Sequence, residues 1–205
     1  MTSPQKEGAA LAPALDPRAQ RSRERLAAAI LDLAADHDAG SLTASQVAAA
    51  AGVNRSTFYQ HAASPVALLH QVLSTELDAL RSGNLTATDN ELGDAIRAVT
   101  AGVVQHVDQH RRIYRRGLNT DAGPAGLHAM LGGHFEASVR LVLESRGITV
   151  SARDGRRVPA AMVARFIAYG VVGAFESRLL EDTPRAAGDF LADLSELLPA
   201  WWPIG

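Results

Sequence analysis

The chain contains no cysteine. That absence excludes disulfides, thiol nucleophiles and cysteine-bound zinc, and it suits a reducing cytoplasm, where the protein is expected to reside. Aromatic residues are scarce, at 5% of the sequence, so the core must be built from aliphatic side chains and alanine, the strongest helix former. A surplus of one charge is also missing. The formal net charge is −2, which gives no bulk electrostatic signature of a nucleic-acid partner and shifts attention to local charge. Long hydrophobic runs are lacking too. The most apolar stretch, Phe166 to Phe175 (FIAYGVVGAF), is ten residues bracketed by Arg165 and Glu176; a membrane-spanning helix needs about 20, so no membrane partner is expected.

Catalytic patterns are equally thin. No Gly-x-Ser-x-Gly, no glycine loop followed by lysine and no dinucleotide-binding glycine fingerprint occurs. His106 and His110 stand four apart, a metal-binding spacing on a helix, but neither HExxH nor ExxH accompanies them. They read as exposed or capping histidines. No catalytic residue, no metal and no cofactor is expected, and the chain does not read as an enzyme. A small-molecule enzyme on a helical bundle would need a convergent acid, base or metal set. A helical interaction module without DNA binding is the other alternative.

What is present is helical period. Apolar residues make up 47% of 205 residues, enough for a small domain and a larger one. The spacing predicts an all-α chain of roughly nine helices. After three at the front come Pro65 to Leu80, Glu91 to His110, Arg112 to Leu118, Pro124 to Arg146, Pro159 to Glu181 and Pro184 to Ala200. GN, DAGP, a loop from Gly147 to Arg156 and DTP separate them. Residues 1–15 mix proline, glycine and small residues without period and read as a disordered tail. Pro13 and Glu7 argue against a signal peptide there. Residues 16–63 form one expected domain and 64–205 the other.

The most specific segment runs from Leu42 to Leu69 (LTASQVAAAAGVNRSTFYQHAASPVALL). Thr43 and Gln46 make a capping box that starts a helix at about Ala44. Gly52 supplies the positive φ that a tight interhelical turn needs. Val47, Ala51, Val53 and Phe58 would share a small core, with Ala48 small enough to admit the second helix. Asn54 caps that helix, and Arg55, Ser56, Thr57, Tyr59, Gln60 and His61 form its polar face. Arginine can pair with guanine and glutamine with adenine, while hydroxyls and His61 reach phosphates or base edges. Arg18, Arg21, Arg23 and Arg25 crowd the entry of the preceding helix, and Arg21 and Arg23 are the ones expected at phosphates. A purely structural hairpin would bury a wider stripe.

These residues resemble the TetR family of bacterial transcriptional regulators, through LT (Leu42, Thr43), VA (Val47, Ala48), AAGV (Ala50 to Val53), TFY (Thr57 to Tyr59) and SPVALL (Ser64 to Leu69). With the preceding RSRERLAAAILDLAADHDAG, the likeness covers Arg21 to Leu73. The family usually carries an aromatic where Ala62 stands and a phosphate-contacting lysine where Pro65 stands, so one backbone contact departs. Pro65 after Ser64 is still a sound helix start. The resemblance implies a homodimeric, ligand-responsive regulator, a repressor, reading a near-palindromic operator on double-stranded DNA.

It also implies that the last two helices pair with those of a second copy. Gly170, Gly173, Ala174, Phe190, Leu194 and Leu198 are the expected interface residues, since small side chains let a neighbouring backbone approach. A small-molecule effector pocket is implied between the middle helices, communicating with the reader through Arg112 to Leu118. His106, Tyr114, His128, Met130, His134, Phe135, Phe166 and Tyr169 interrupt apolar helices there and are its candidate lining. Gly132 and Gly133 mark a bend, room for a ligand, or a loosened helix. Arg111, Arg112, Arg115 and Arg116 repel one another mildly and call for partners. Asp32, Asp36 and Asp38 are the candidates.

Overall fold

A computed structural model of the chain describes residues 16–85, 92–118 and 126–202. The tail expected at 1–15 and the DAGP break at 121–124 lie outside them. Among the described residues are nine α-helices, numbered α1 (Pro17–Asp36), α2 (Ala44–Ala50), α3 (Arg55–His61), α4 (Pro65–Leu85), α5 (Leu92–Gln109), α6 (Arg111–Leu118), α7 (Leu127–Ser145), α8 (Ala160–Leu180) and α9 (Ala187–Leu197). The only strand-like feature among them is an isolated bridge between Ser151 and Arg157, inside the α7–α8 connection. The chain is all α, as its period implies.

Local chemistry starts each early helix. The Asp16 carboxylate accepts the Arg18 N–H at 2.9 Å, with Pro17 at the first helical position. The capping box on α2 is complete: Thr43 Oγ1 accepts from Gln46 N, and Gln46 Oε1 accepts from Thr43 N. Gly52 turns the chain at φ +63°, and Val53 N donates to Ala48 O. Asn54 occupies the cap of α3, but its side chain makes no capping bond. Ser64 Oγ accepts from Ala67 N at the head of α4. GN does not break that helix, which carries Gly83 on to Leu85; a lone glycine costs about 1 kcal/mol in a helix and does not end one already anchored elsewhere.

Long α4 ties the two expected domains together. Leu68, Leu69, Leu73 and Leu77 of α4 belong to a continuous core that runs from Leu26 and Phe58 to Phe175 and Phe190, so packing does not stop at residue 63. A second cluster around Ile96, Val142, Ile167 and Trp202 fills the far end. α7 crosses α8 closely because of Gly132: a Cβ there would lie 2.6 Å from the Tyr169 ring. Gly132 thus serves helix contact, a role outside the three expected of the glycine pair, while Gly133 faces open space. The buried Arg178 joins three helices, donating to Asp108 Oδ2 at 2.8 Å and to Arg185 O, with its guanidinium over Phe190.

Candidate nucleic-acid interface and effector cavity

The geometry of α3 follows from one anchor. Phe58 is fully buried beside Val47 and Ala48, which turns Asn54, Arg55, Ser56, Tyr59 and Gln60 to solvent and leaves Thr57 and His61 half-buried. Arg55 Nη2 donates to Tyr59 Oη at 3.2 Å, and its guanidinium stands 5.5 Å from that ring. Two exposed polar side chains are therefore held against each other before any partner arrives. Arg21 and Arg23 are exposed on α1, and Arg23 shares a surface groove with His61. Thr43, though exposed, already spends its hydroxyl on the capping box.

A partly open cavity of about 90 Å³ lies between α5, α7, α8 and α9. Ile96, Val99, Val103, Val142, Ile167, Val171 and Phe175 make its wall apolar, with Thr100, His134 and Ser138 as polar points and Trp202 at one side. Only His134 and Phe135 of the eight expected lining residues reach it. His106 and Tyr114 are buried elsewhere, and His128 bonds Glu176 at 2.7 Å. Met130 packs on the core, and Tyr169 lies over Gly132. Phe166 is corrected: it is 78% exposed on the outer face of α8 and does not line this cavity. Burial lowers the His134 pKa, helped by Arg81 and opposed by Asp78.

The arginine-rich helix finds its partners at helix ends. Arg111 Nη2 donates to the carbonyls of Arg178, Leu179 and Glu181, which close α8. Arg116 Nη1 donates to Ala34 O and Ala35 O at the end of α1. Both place cations where helix dipoles are negative. Arg112 pairs with Asp36, and Arg115 stands 4.0 Å from Asp182. Of the three expected aspartates Asp36 partners α6, while Asp38 caps Gly40. α6 (Arg111–Leu118) thus links α1 of the reader to α8 of the body.

One cluster contradicts the reading of His106 and His110 as exposed or simply capping. Both are buried, at 5% and 9% exposure. Glu76 Oε2 lies 3.2 Å from His106 Nδ1 and 2.9 Å from His110 Nε2, while His106 Nε2 is 2.8 Å from Tyr114 Oη. Burial first, then His110 and His134, push the His106 pKa down to about 4; burial and Glu76 push the Tyr114 hydroxyl up. Glu76 escaped sequence reasoning, yet a signal was there: it is an acid inside the apolar row Leu69, Leu73, Leu77 of α4.

The outer face of α8 is apolar and open. Met162, Phe166 and Leu180 are 63%, 78% and 60% exposed, and Leu197 of α9 is 77% exposed. Gly170 and Gly173 lie on the same face, where an added Cβ would meet nothing within 4 Å, and Ala174 is half-buried beside them. Phe190 and Leu194 are corrected. Each is 4% exposed inside the protomer, Phe190 under Arg178 and Leu194 against the cavity, where Leu198 joins it. Helical period showed their stripe but not which side would be covered. α8 is also longer than its most apolar run, and by length and composition alone it could cross a bilayer. Against that stand its packing on α7 and the buried Arg178–Asp108 pair.

Residues 26–72 match the family model described as bacterial regulatory proteins, tetR family. No curated protein sequence matches the chain. Among solved structures, FadR of Thermus thermophilus, a TetR-family transcriptional repressor in complex with lauroyl-CoA, superposes with TM-score 0.60 at 20% identity over 85% of this chain and 92% of its own. NalD of Pseudomonas aeruginosa, the secondary repressor of the MexAB-OprM multidrug efflux pump, gives 0.58 at 18% identity over 90% and 100%. DhaS, the activator of a dihydroxyacetone kinase operon, gives 0.60 at 13% identity over 86% and 93%. At these identities the likeness is one of fold.

Proposed function

We propose that this chain, whose residues 26–72 match the model of the tetR family of bacterial regulatory proteins, is a cytoplasmic repressor that grips a near-palindromic DNA operator as a homodimer and releases it when a small molecule binds. The observation that carries this reading is the face of α3: Arg55, Ser56, Tyr59 and Gln60 are exposed on a helix that Phe58 fixes rigidly. A rigid helix with arginine and glutamine outward can enter a major groove and pair with base edges. Arg21 and Arg23 then serve as phosphate contacts.

The dimer forms through the outer face of α8, where Phe166, Gly170 and Gly173 admit a second copy. The effector is apolar, because the cavity wall is. At about 90 Å³ the cavity is smaller than most ligand sites, which run to roughly 300 Å³ and above. Ligand entry must therefore part α5 from α8 and α9. α5 leads directly into α6, whose arginines hold the end of α1, so expansion of the cavity shifts the reader. The ligand must favour one of the two states, or DNA affinity does not change. Repressors and an activator share this fold among the solved structures, so the sign of regulation is read by transcription from the bound promoter.

Selection of bound duplexes from a random pool tests the reading. Recovery of a symmetric site whose binding weakens steeply with salt is expected. Recovery of no sequence preference, with Arg55→Ala and Gln60→Ala leaving affinity unchanged, overturns it in favour of an interaction module.

A further inference from the structure

We propose that Glu76, His106 and His110 form a binding site for one divalent transition-metal ion of the Zn²⁺ type, at the junction of α4, α5 and α6. Three donors converge there. His106 and His110 are four residues apart on successive turns, and Glu76 faces them from α4; their ligand atoms all lie within 4.8 Å of one another. Donors around a tetrahedral zinc, each about 2.0–2.1 Å from it, are separated by roughly 3.3 Å. Two of the separations here, 3.2 and 2.9 Å from Glu76 Oε2, already match that spacing. The third separation, between the two imidazoles, is no more than 4.8 Å. The donor set of two imidazoles and one carboxylate is one that zinc accepts with a fourth position left for water.

Two further features suit an ion rather than a hydrogen-bonded knot. His106 presents Nδ1 to Glu76 and Nε2 to Tyr114 Oη at 2.8 Å. When the ion takes Nδ1, the ring proton sits on Nε2 and is donated to Tyr114, the outer hydrogen bond that fixes a ligating imidazole. Tyr114 is fully buried, so this partner cannot drift. Access comes from the other side. The Glu76 side chain is 40% exposed and forms one end of a groove that runs past Thr75 and Gln71 to His61 of the reading helix. An ion can enter there, and an open coordination position would face it.

The place in the fold gives the ion leverage. His110 O accepts the first backbone bonds of α6, from Ile113 and Tyr114, so clamping His110 to α4 fixes the angle at which α6 leaves α5. That regulatory consequence, a change in DNA affinity with the ion, rests on the regulator reading; binding of the ion does not.

The test uses the untagged full chain, stripped with a chelator and titrated with Co²⁺ and Zn²⁺ by visible absorption and calorimetry. One ion per chain at micromolar affinity is expected, with Glu76→Gln and His110→Gln each weakening it by at least about tenfold and Tyr114→Phe by about 10- to 100-fold, as loss of an outer partner does. His37→Gln at the end of α1 should bind as the parent does. Melting curves without metal show that each variant is folded. No binding by the unaltered chain at micromolar ion, or equal binding by the Glu76 and His110 variants, overturns the proposal. Binding that is lost in those variants, while random duplexes yield no operator, leaves the metal site standing and removes the regulator.

Discussion

The reader at the amino-terminal end and the helical body behind it are built by opposite rules. In the reader, each turn is set by residues close in sequence: Thr43 with Gln46 three along, Gly52 between its two helices, Ser64 with Ala67. In the body and at its joint with the reader, the polar contacts that organise the packing join distant positions. His110 meets Glu76 across 34 residues, Arg178 meets Asp108 across 70, and Arg116 meets Ala34 across 82. Local rules make a rigid unit that can be moved as a whole. Long-range pairs make a body whose packing depends on residues far apart in the chain, and the proposed ligand response would act there.

The strongest way to break this contrast is to remove the reader's one anchor. Phe58→Ala should cost about 3–5 kcal/mol, the range for a buried phenylalanine, because Phe58 is fully buried where α1, α2 and α3 meet. Urea unfolding measures it. Since the core runs on through α4, the whole transition should move; a separate early phase would show that reader and body unfold independently.

Next comes the open apolar face of α8, the proposed dimer surface. Phe166→Glu should leave the protomer's melting temperature almost unchanged, because this side chain is 78% exposed. Sedimentation should nevertheless show a monomer, and operator affinity should fall on the order of a hundredfold as the second grip is lost. A stable dimer in that variant would place the interface elsewhere.

At the reading face the effect is smaller and more specific. Arg55→Ala should cost about 1–3 kcal/mol at one base position per half-site if the guanidinium meets a base. Tyr59→Phe, which removes only the hydroxyl that accepts from Arg55, should reproduce a fraction of that loss if preorganisation matters. An even loss across all sequences would assign Arg55 to a phosphate instead.

These differences explain what could be read from residues alone. The caps at Thr43 and Ser64, the glycine turn and the polar face of α3 were legible because each is written within one or two turns of chain. The all-α architecture was legible from period. The cavity lining was not: of eight candidates only His134 and Phe135 reach it, because an aromatic or histidine interrupting an apolar helix shows that it is unusual, not which neighbour it faces. Phe190 and Leu194 failed for the same reason. A stripe says that a face is covered, and only tertiary packing says whether its own chain or another covers it. Glu76 was missed because an acid on an apolar row acquires meaning only beside His106 and His110.

Acid titration probes the body's buried polar groups. His106, ordinarily near 6.5, is lowered to about 4 in the folded chain, and His134 is lowered in the same direction. The unfolded chain therefore takes up these protons first. Their neutral forms support the fold fully above about pH 6.5, and stability is lost as pH falls from there toward 4, below which His106 is protonated in both states. From pH 7 to 5 the His106 share is about 2 kcal/mol, measured by urea midpoints on metal-free protein. His134→Phe should flatten part of the slope, and an unchanged slope would show that His134 titrates normally.

The smallest stability effect tests the joint between the two regions. Arg112 and Asp36 form an exposed ion pair, with side chains 68% and 57% accessible, and such pairs contribute about 0.2–1 kcal/mol. Arg112→Asp should thus leave unfolding nearly as it was, while Arg116 still holds the carbonyls of Ala34 and Ala35. Yet α6 rests on α1 partly through this pair, so reversing one charge repels the end of α1 and should shift the spacing of the two reading heads. Operator affinity then changes although stability does not. Adding Asp36→Arg restores the pair with its ends exchanged and should restore affinity, a recovery that loss of a mere surface charge would not show. The difference between single and double variants should shrink in high salt, which screens exposed charges beyond about 10 Å at 0.1 M and closer as salt rises. If the single reversal leaves operator affinity untouched, the joint is carried by the carbonyl contacts of Arg116 and Arg111 alone, and α6 steers the reader through its backbone.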